Sequence, residues 1–167
     1  MATEIERKFL LAADDWRASV ARSLRMQQGY LTRARAAGDP PCSVRVRIGG
    51  GSAWLNIKSA VAGVERREYE YVVPVEDAAR MLAEFCNGVV EKIRHYVPYG
   101  GRTFEVDEFL GDNAGLIVAE LELEAADAHF ERPPWLGREV SAALRYYNLH
   151  LLDYPYSRWS AAERAGE

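Results

Sequence analysis

Short segments in which charged and apolar residues alternate recur along most of this 167-residue chain. Because successive side chains of a strand point to opposite faces, each segment predicts a strand with one charged face and one apolar face. Eight segments follow the pattern: TEIERKFL, MQQGYLTR, CSVRVRI, AWLNIKS, VERREYEYVV, VVEKIRHYV, RTFEVDEFL and LIVAELELE. Most connections between them are short, which favours antiparallel hairpins over parallel strands with crossover helices.

Helical character is confined to three stretches, and these are ADDWRASVARS, VEDAARMLAEFC and SAALRYYNLHLL. The glycine-rich segment IGGGSA predicts a hairpin turn. With 49% hydrophobic residues, a chain of this length supports one packed domain. We therefore expect a single domain over residues 1–167, mainly β, with the polar residues 157–167 as a loose tail.

The charged faces are segregated by sign. Arg45 and Arg47 put only bases on their face, whereas Glu120 and Glu122 put only acids on theirs. Like charges so placed repel, at a cost that a solvated surface has no reason to incur repeatedly. Two structures fit the alternation: an open sheet with a wet charged face, and an eight-stranded barrel with the charged faces inside. The segregation favours the barrel.

In the barrel, equal numbers of bases and acids would point inward. The bases are Lys8, Arg45, Arg47, Lys58, Arg66, Lys92 and Arg94; the acids are Glu4, Glu6, Glu68, Glu70, Asp107, Glu120 and Glu122. Arginine and lysine suit phosphate oxygens, and carboxylates suit Mg²⁺ or Mn²⁺. The two sets together predict a metal polyphosphate site.

Composition argues against several other classes of protein. The formal net charge of -4 gives no global attraction for nucleic acid or an anionic membrane. The only cysteines, Cys42 and Cys86, are too few for a disulfide framework and lack the neighbours of a zinc site. No signal stretch or membrane-length apolar run is present. We expect a cytoplasmic protein without nucleic-acid or membrane partners, and a homodimer is left open.

The order of the charged motifs is distinctive. Glu4-x-Glu6-x-Lys8 is followed by Arg45-x-Arg47, Lys58, Arg66-x-Glu68-x-Glu70, Lys92-x-Arg94, Asp107, Glu120-x-Glu122 and the closing segment WLGREVSAALRYYNLHLL. In this order the motifs resemble the CYTH-domain family, also called triphosphate tunnel metalloenzymes. The resemblance covers residues 2 to about 153, which is nearly the whole chain.

This resemblance implies a closed eight-stranded antiparallel β-barrel, with helices outside and a triphosphate and two Mg²⁺ or Mn²⁺ ions inside. The phosphate contacts would be Arg45, Arg47, Lys58, Arg66, Lys92 and Arg94. The metal ligands would be Glu4, Glu6, Glu68, Glu70, Asp107, Glu120 and Glu122, with Glu120 and Glu122 as first choices for direct contact. Short bacterial members are inorganic triphosphatases, which implies hydrolysis of tripolyphosphate to pyrophosphate and phosphate.

Activation of water would fall to Lys8 and Tyr30 in the same resemblance. Cationic neighbours are expected to lower the pKa of Lys8 and make it a base. Tyr30 has an equal alternative as an ordinary strand aromatic.

Other functions remain open on the same tunnel. One is a class IV type adenylate cyclase, or a nucleoside or thiamine triphosphatase. Trp54 shares a face with Lys58 and leaves room for a nucleobase. Another is a non-catalytic polyphosphate-binding module, in which the acids merely balance the bases.

Overall fold

The computed structural model describes residues 2–32, 42–59 and 65–166, and its main element is one antiparallel sheet. The strands are β1 (Ala2–Leu11), β2 (Arg22–Thr32), β3 (Cys42–Gly49), β4 (Ser52–Ser59), β5 (Glu65–Val73), β6 (Val90–Tyr99), β7 (Arg102–Phe109), β8 (Ile117–Leu123) and β9 (Leu136–Glu139). The helices are α1 (Val75–Glu84), α2 (Asn148–Asp153) and α3 (Ala161–Arg164). Short 3-10 turns span Asp15–Ser19, Gly111–Asn113, Leu144–Tyr146 and Tyr156–Arg158.

The sheet has the strand order β5-β4-β3-β2-β6-β7-β8-β1-β9, and β1 also pairs with β5. That last pairing joins Ala2–Ile5 to Glu65–Glu68 over four residue pairs. A mainly antiparallel β protein is thus confirmed, but the predicted count of eight strands is wrong. The ninth strand, β9, runs along the end of β1, so the order is not that of a plain eight-stranded ring. At four residues, β9 is too short to show an alternation.

The turn between β3 and β4 confirms the predicted hairpin. Gly49 and Ser52 form the last pair of the ladder, and Gly50 and Gly51 between them have φ values of 58° and 81°. Two positive φ angles in a two-residue loop match the twist of the flanking strands, and glycine adopts them without steric cost.

Only one of the three predicted helices forms as expected, namely α1. The first predicted helix is wrong, because its residues form the 3-10 turn Asp15–Ser19 and then lead into β2. Trp16 is fully buried in that turn and packs on His95, with ring centroids 5.1 Å apart. The third stretch divides into the turn Leu144–Tyr146 and α2. None of the helices in the described ranges is long and apolar enough to cross a membrane.

The apolar face of the sheet, here called the outer face, is covered by the segments between strands. Trp16 and Trp135 pack against β1, β6, β7 and β8 through Ile5, Phe9, Val97, Phe104, Val106, Leu121 and Leu123. Helix α1 covers β3 and β4 through Val46, Ala53, Ala78 and Leu82. Burial of these apolar side chains is the largest favourable contribution to the free energy of folding. The opposite face, the inner face, is left to the charged residues.

A third apolar group, the C-terminal cluster, interrupts the inner face at one end. Val90, Phe109 and Val118 have the same parity as the charged residues of their strands, yet they pack against the C-terminal segment. Their partners there include Val140, Tyr146, Leu151 and Trp159. The residues after 156, expected as a loose tail, include the buried Trp159 and helix α3, whose first turn has a Ser160–Glu163 capping box. The charged part of the inner face therefore ends against an apolar cluster.

Replacing Gly137 with alanine is expected to destabilise the protein by about 1–3 kcal/mol. A Cβ atom at this position would lie 2.7 Å from the backbone carbonyl oxygen of Leu10, so β9 would have to move away from β1. Urea denaturation of the two proteins measures the difference. An unchanged midpoint would show that β9 can move without loss.

Candidate active site

The charged side chains of the inner face are largely buried. Lys8, Lys92 and Arg94 are 3%, 2% and 7% exposed, and Asp107 and Glu120 are 0% and 5% exposed. A wet open sheet would leave such groups in water, so these strands do not carry the solvated face considered above. Buried charges are costly unless each has a partner. The partners form two clusters.

The first, the acidic cluster, lies on β1, β6, β7 and β8. Its members are Lys8, Lys92, Arg94, Glu6, Glu105, Asp107 and Glu120. Lys8 lies opposite Glu120 in the β1–β8 register and donates to that carboxylate. Its Nζ also donates to Glu6 at 2.6 Å. One ammonium is therefore shared by two carboxylates.

Arg94 is the centre of the acidic cluster. Its guanidinium binds Asp107 at 2.7 and 2.6 Å and Glu120 at 2.6 Å, and it also contacts Glu105. Lys92 donates to the same Asp107. Burial lowers the pKa of Arg94, but Asp107 and Glu120 more than offset this and raise its pKa well above the usual value. Burial would raise the pKa of Glu120, but Lys8 and Arg94 hold it well below its usual value. These groups are charged at neutral pH.

The pKa of Lys8 differs from the expectation. Burial lowers it, but the nearby carboxylates of Glu120 and Glu6 outweigh burial, so that the pKa is raised. A lowered pKa is therefore wrong for this arrangement, because the nearest neighbours of Lys8 are carboxylates and not cations. In the resting protein Lys8 is an ammonium that donates hydrogen bonds.

The backbone of Lys8 is held by the C-terminal part of the chain. Its N–H donates to Ser141 Oγ at 2.9 Å, and its carbonyl accepts from the N–H of Val140 at 2.8 Å. The ring of Tyr147 lies 5.2 Å from Lys8 Nζ, and the Tyr147 hydroxyl donates to the carbonyl of Ser141. The alternation of charged and apolar residues does not predict these contacts of Lys8.

The second, the basic cluster, lies on β3, β4 and β5. Its members are Arg45, Arg47, Lys58, Asn56, Glu68 and Glu70. Arg47 pairs with Glu70 at 2.9 Å, and Glu68 lies 3.4 Å from Lys58 and 3.9 Å from Arg45. Burial and the charge of Arg45 lower the pKa of Arg47. The described side chains of this cluster carry a net positive charge.

Charge balance distinguishes the two clusters. Among the side chains that the structure describes, the acidic cluster has four carboxylates and three cations, whereas the basic cluster has two carboxylates and three cations. An anion such as a phosphate would complete the basic cluster, and an additional cation would complete the acidic cluster.

Asn56 and Glu105 are site residues that the sequence-based selection missed. Asn56 is fully buried and donates to Glu68 at 2.8 Å and to Glu70 at 2.6 Å. Its amide oxygen accepts from Arg45 at 3.3 Å. Both residues share parity with selected ones, so strand alternation could have found them. A search for charged residues does not select Asn56, because its side chain is neutral.

Four further predicted residues are located by strand register. The side chains of Glu4 and Arg66 are outside the described part of the structure, although their backbones lie opposite each other in the β1–β5 register. Glu122 is exposed and lies opposite Glu6. Tyr30 is half-buried and lies opposite Arg45.

A divalent metal ion fits the donor set of the acidic cluster. Among the residues that the structure describes, no group of three or more His, Cys, Asp or Glu could hold a metal by itself. Mg²⁺, however, is commonly held by one or two carboxylates, with water and substrate phosphates completing its shell. Glu6 and Glu120 already meet at one cation, the ammonium of Lys8, and they offer the hard oxygen ligands that Mg²⁺ or Mn²⁺ requires.

The family pattern described as the CYTH domain matches residues 2–152 of this chain. The chain belongs to the CYTH-domain family. This CYTH protein is 41% identical over 160 residues to an inorganic triphosphatase of Acetivibrio thermocellus, with 95% of this chain and 99% of the relative covered. It is 34% identical over 150 residues to an inorganic triphosphatase of Nitrosomonas europaea, with 87% and 94% covered. The resemblance drawn from the charged motifs is thus confirmed.

Solved structures of the same fold agree with this membership. The CYTH protein matches the crystal structure of the inorganic triphosphatase NE1496 with a TM-score of 0.65 and 33% identity, covering 91% of this chain and 95% of that one. A putative adenylate cyclase from Bacillus halodurans matches with a TM-score of 0.55 and 15% identity, covering 76% of this chain and 84% of that one. The second likeness concerns the fold alone.

Proposed function

We propose that this CYTH protein hydrolyses inorganic triphosphate (tripolyphosphate) to pyrophosphate and phosphate in a metal-dependent reaction. The observation that carries the proposal is the pairing, on one buried face, of a cluster rich in bases with a cluster rich in acids. Phosphoanhydride hydrolysis needs mainly neutralised charge and a positioned water, and this pairing supplies groups for both. The names of the two relatives support the choice of substrate.

The inner face would enclose the substrate as a closed tunnel. Two observations support closure. One is that β1, beside the last strand β9, pairs with β5 at the other end of the strand order. The other is that five charged side chains of the inner face are almost completely buried, namely Lys8, Lys92, Arg94, Asp107 and Glu120. Eight strands would form the wall, and β9 would add to it beside β1. A barrel of this size can hold one small ligand.

Phosphate oxygens would bind the bases that line both sides of the tunnel. Arg45, Arg47, Lys58 and Arg66 would act on one side, with Lys92 and Arg94 on the other. An arginine can hold two oxygens of one phosphoryl group, whereas a lysine acts as a point charge. For the five bases whose side chains the structure describes, a substrate phosphate would thus replace carboxylate partners.

The metal would be Mg²⁺ or Mn²⁺, and two ions would be bound. Glu120, a first choice by resemblance, and Glu6 would hold the first ion, because both already contact the Lys8 ammonium. Glu122, the other first choice by resemblance, is exposed and joins the rest of the proposed ligand set, which is Glu4, Glu68, Glu70 and Asp107. When bound, the ion neutralises phosphate charge and polarises the phosphoryl group for attack. Lys8 would donate from its ammonium to a phosphoryl oxygen, and Tyr30 would help to position the attacking water.

The nucleotide-enzyme alternative has less support. Trp54, which left room for a nucleobase, lies 5.1 Å from the guanidinium of Arg47, so one face of its ring already contacts a cation. A base platform would need a free aromatic face at the tunnel mouth.

The cytoplasmic location and a homodimer stay predictions of the sequence.

Release of phosphate from tripolyphosphate, ATP and thiamine triphosphate, each with Mg²⁺, Mn²⁺ or EDTA, tests the proposal. We expect release from tripolyphosphate to exceed that from ATP by at least about 100-fold, because the adenosine ester of ATP takes away one terminal phosphate oxygen, with its charge, from the bases of the site. With EDTA the release should fall to background. Faster release from ATP would favour the nucleotide enzyme. Binding of tripolyphosphate in EDTA, without turnover under any condition, would favour the binding module.

A further inference from the structure

Gln28 is buried on the inner face of β2 without a hydrogen-bond partner. Its side chain is 1% exposed, and neither its amide nitrogen nor its amide oxygen has a partner among the residues that the structure describes. If the amide nitrogen and oxygen of Gln28 changed places, the NH₂ group would still lack an acceptor. Buried amides are almost always hydrogen-bonded, so an unpaired one needs an explanation.

The neighbours of Gln28 indicate which kind of partner is missing. Gln28 lies opposite Arg47 on β3 and opposite Val90 on β6, and Met26 precedes it on the same face. Val90 and Met26 offer no acceptor. Arg47 offers only donors, and its Nε is itself buried and unpaired, although its Nη2 binds Glu70. Two adjacent buried donors thus lack an acceptor.

We propose that the Gln28 amide and the Arg47 Nε together bind an oxygen of a terminal phosphoryl group of the substrate. This inference rests on the proposed function and names a contact that the charged motifs do not include. A phosphate oxygen is an acceptor without a hydrogen, which is what two neighbouring unpaired donors need. Gln28 adds a donor without adding a fourth cation to the basic cluster.

The position of Gln28 supports a terminal phosphoryl group. Tyr30, Arg45, Asn56 and Glu70 lie side by side in the register of β2 to β5, and Gln28 and Arg47 lie two residues further along their strands. Beyond Gln28 the inner face continues into the C-terminal cluster, of which Val90 is a member. An apolar cluster cannot hold another phosphoryl group, so the phosphate chain would end at Gln28.

Gln28→Leu tests the inference, and Gln27→Leu is its matched control. Leucine removes both polar atoms at similar volume. Gln27 is the neighbouring residue on the same strand, and its amide donates to Glu91 on the outer face at 2.9 Å. Binding of tripolyphosphate to each protein would be measured by titration calorimetry in EDTA, and thermal unfolding would be measured without ligand.

For Gln28→Leu we expect the Kd of tripolyphosphate to rise by about 10- to 100-fold, as for a lost hydrogen bond to a charged group. Its Tm should rise by a few degrees, because an unpaired buried amide has been replaced by an apolar group. Gln27→Leu should leave the Kd unchanged.

Three results would overturn the inference. The first is an unchanged Kd in Gln28→Leu, the second is a higher Kd together with a lower Tm in that variant, and the third is a wild-type protein without affinity for tripolyphosphate. The second would assign Gln28 a structural role. Binding in EDTA does not depend on turnover. A wild-type protein that binds tripolyphosphate but never hydrolyses it would therefore refute the proposed function and leave the comparison of Kd values valid.

Discussion

Replacing Lys8 with methionine is expected to lower the rate of tripolyphosphate hydrolysis by about 10²- to 10³-fold, the effect of removing one donor that stabilises charge in a transition state. Methionine keeps most of the buried stem but removes the ammonium shared by Glu6 and Glu120. The fold should survive, because Arg94 still binds Glu120 at 2.6 Å. Steady-state phosphate release measures the rate, and circular dichroism reports on the fold.

Arg7→Met is the matched control for Lys8→Met. Arg7 is the preceding residue on β1 and lies on the outer face, where it pairs with Glu139 and is partly exposed. An exposed ion pair contributes little, so the hydrolysis rate should change by less than about twofold. Equal rates in Lys8→Met and the wild-type protein would remove Lys8 from the proposed reaction.

Replacing Arg94 with leucine is expected to cost about 3 kcal/mol of the free energy of unfolding, at the lower end of what loss of one partner from a buried ion pair costs. Asp107 is completely buried and receives two hydrogen bonds from Arg94. Lys92 still contacts Asp107 in the variant, which keeps the loss from being larger. Urea denaturation gives the difference, and hydrolysis should be lost as well.

Arg25→Leu provides the comparison for Arg94→Leu. Arg25 pairs with Glu91 at 2.8 Å, but its side chain is 68% exposed. Its replacement should cost less than about 1 kcal/mol. If the two variants were equally stable, the buried network around Arg94 would contribute no more than a surface ion pair.

The part of this fold that could be predicted from the sequence follows from strand alternation. A strand places every second residue on one face, so the sequence contains both the strands and the face that Lys8, Lys92 and Arg94 occupy. The local pattern around Trp16 predicts a helix, because a local pattern carries no information on tertiary packing. In the structure, burial of the Trp16 indole holds this segment as a short turn instead. The strand β9 has too few residues to show a period.

Contacts within the site follow from register, which the sequence does not display. Parity places Lys8 on the charged face, but the β1–β8 register decides that Glu120 is opposite. The direction expected for the pKa of Lys8 is wrong for this reason, since parity places bases and acids on one face but does not pair them. Gln28 was missed because it is neutral, although it shares parity with Tyr30.

The strand β1 depends on residues far along the chain. Apart from its four pairs with β5, β1 is held by β8 and β9, and the N–H of Lys8 binds Ser141, 133 residues later in the chain. Contacts of such sequence separation form slowly. On the ribosome, Lys8 would emerge well before its partners on β8 and β9 and before Ser141. A nascent chain therefore contains the lysine long before it contains the site, and the site can form only after residue 141 has been synthesised.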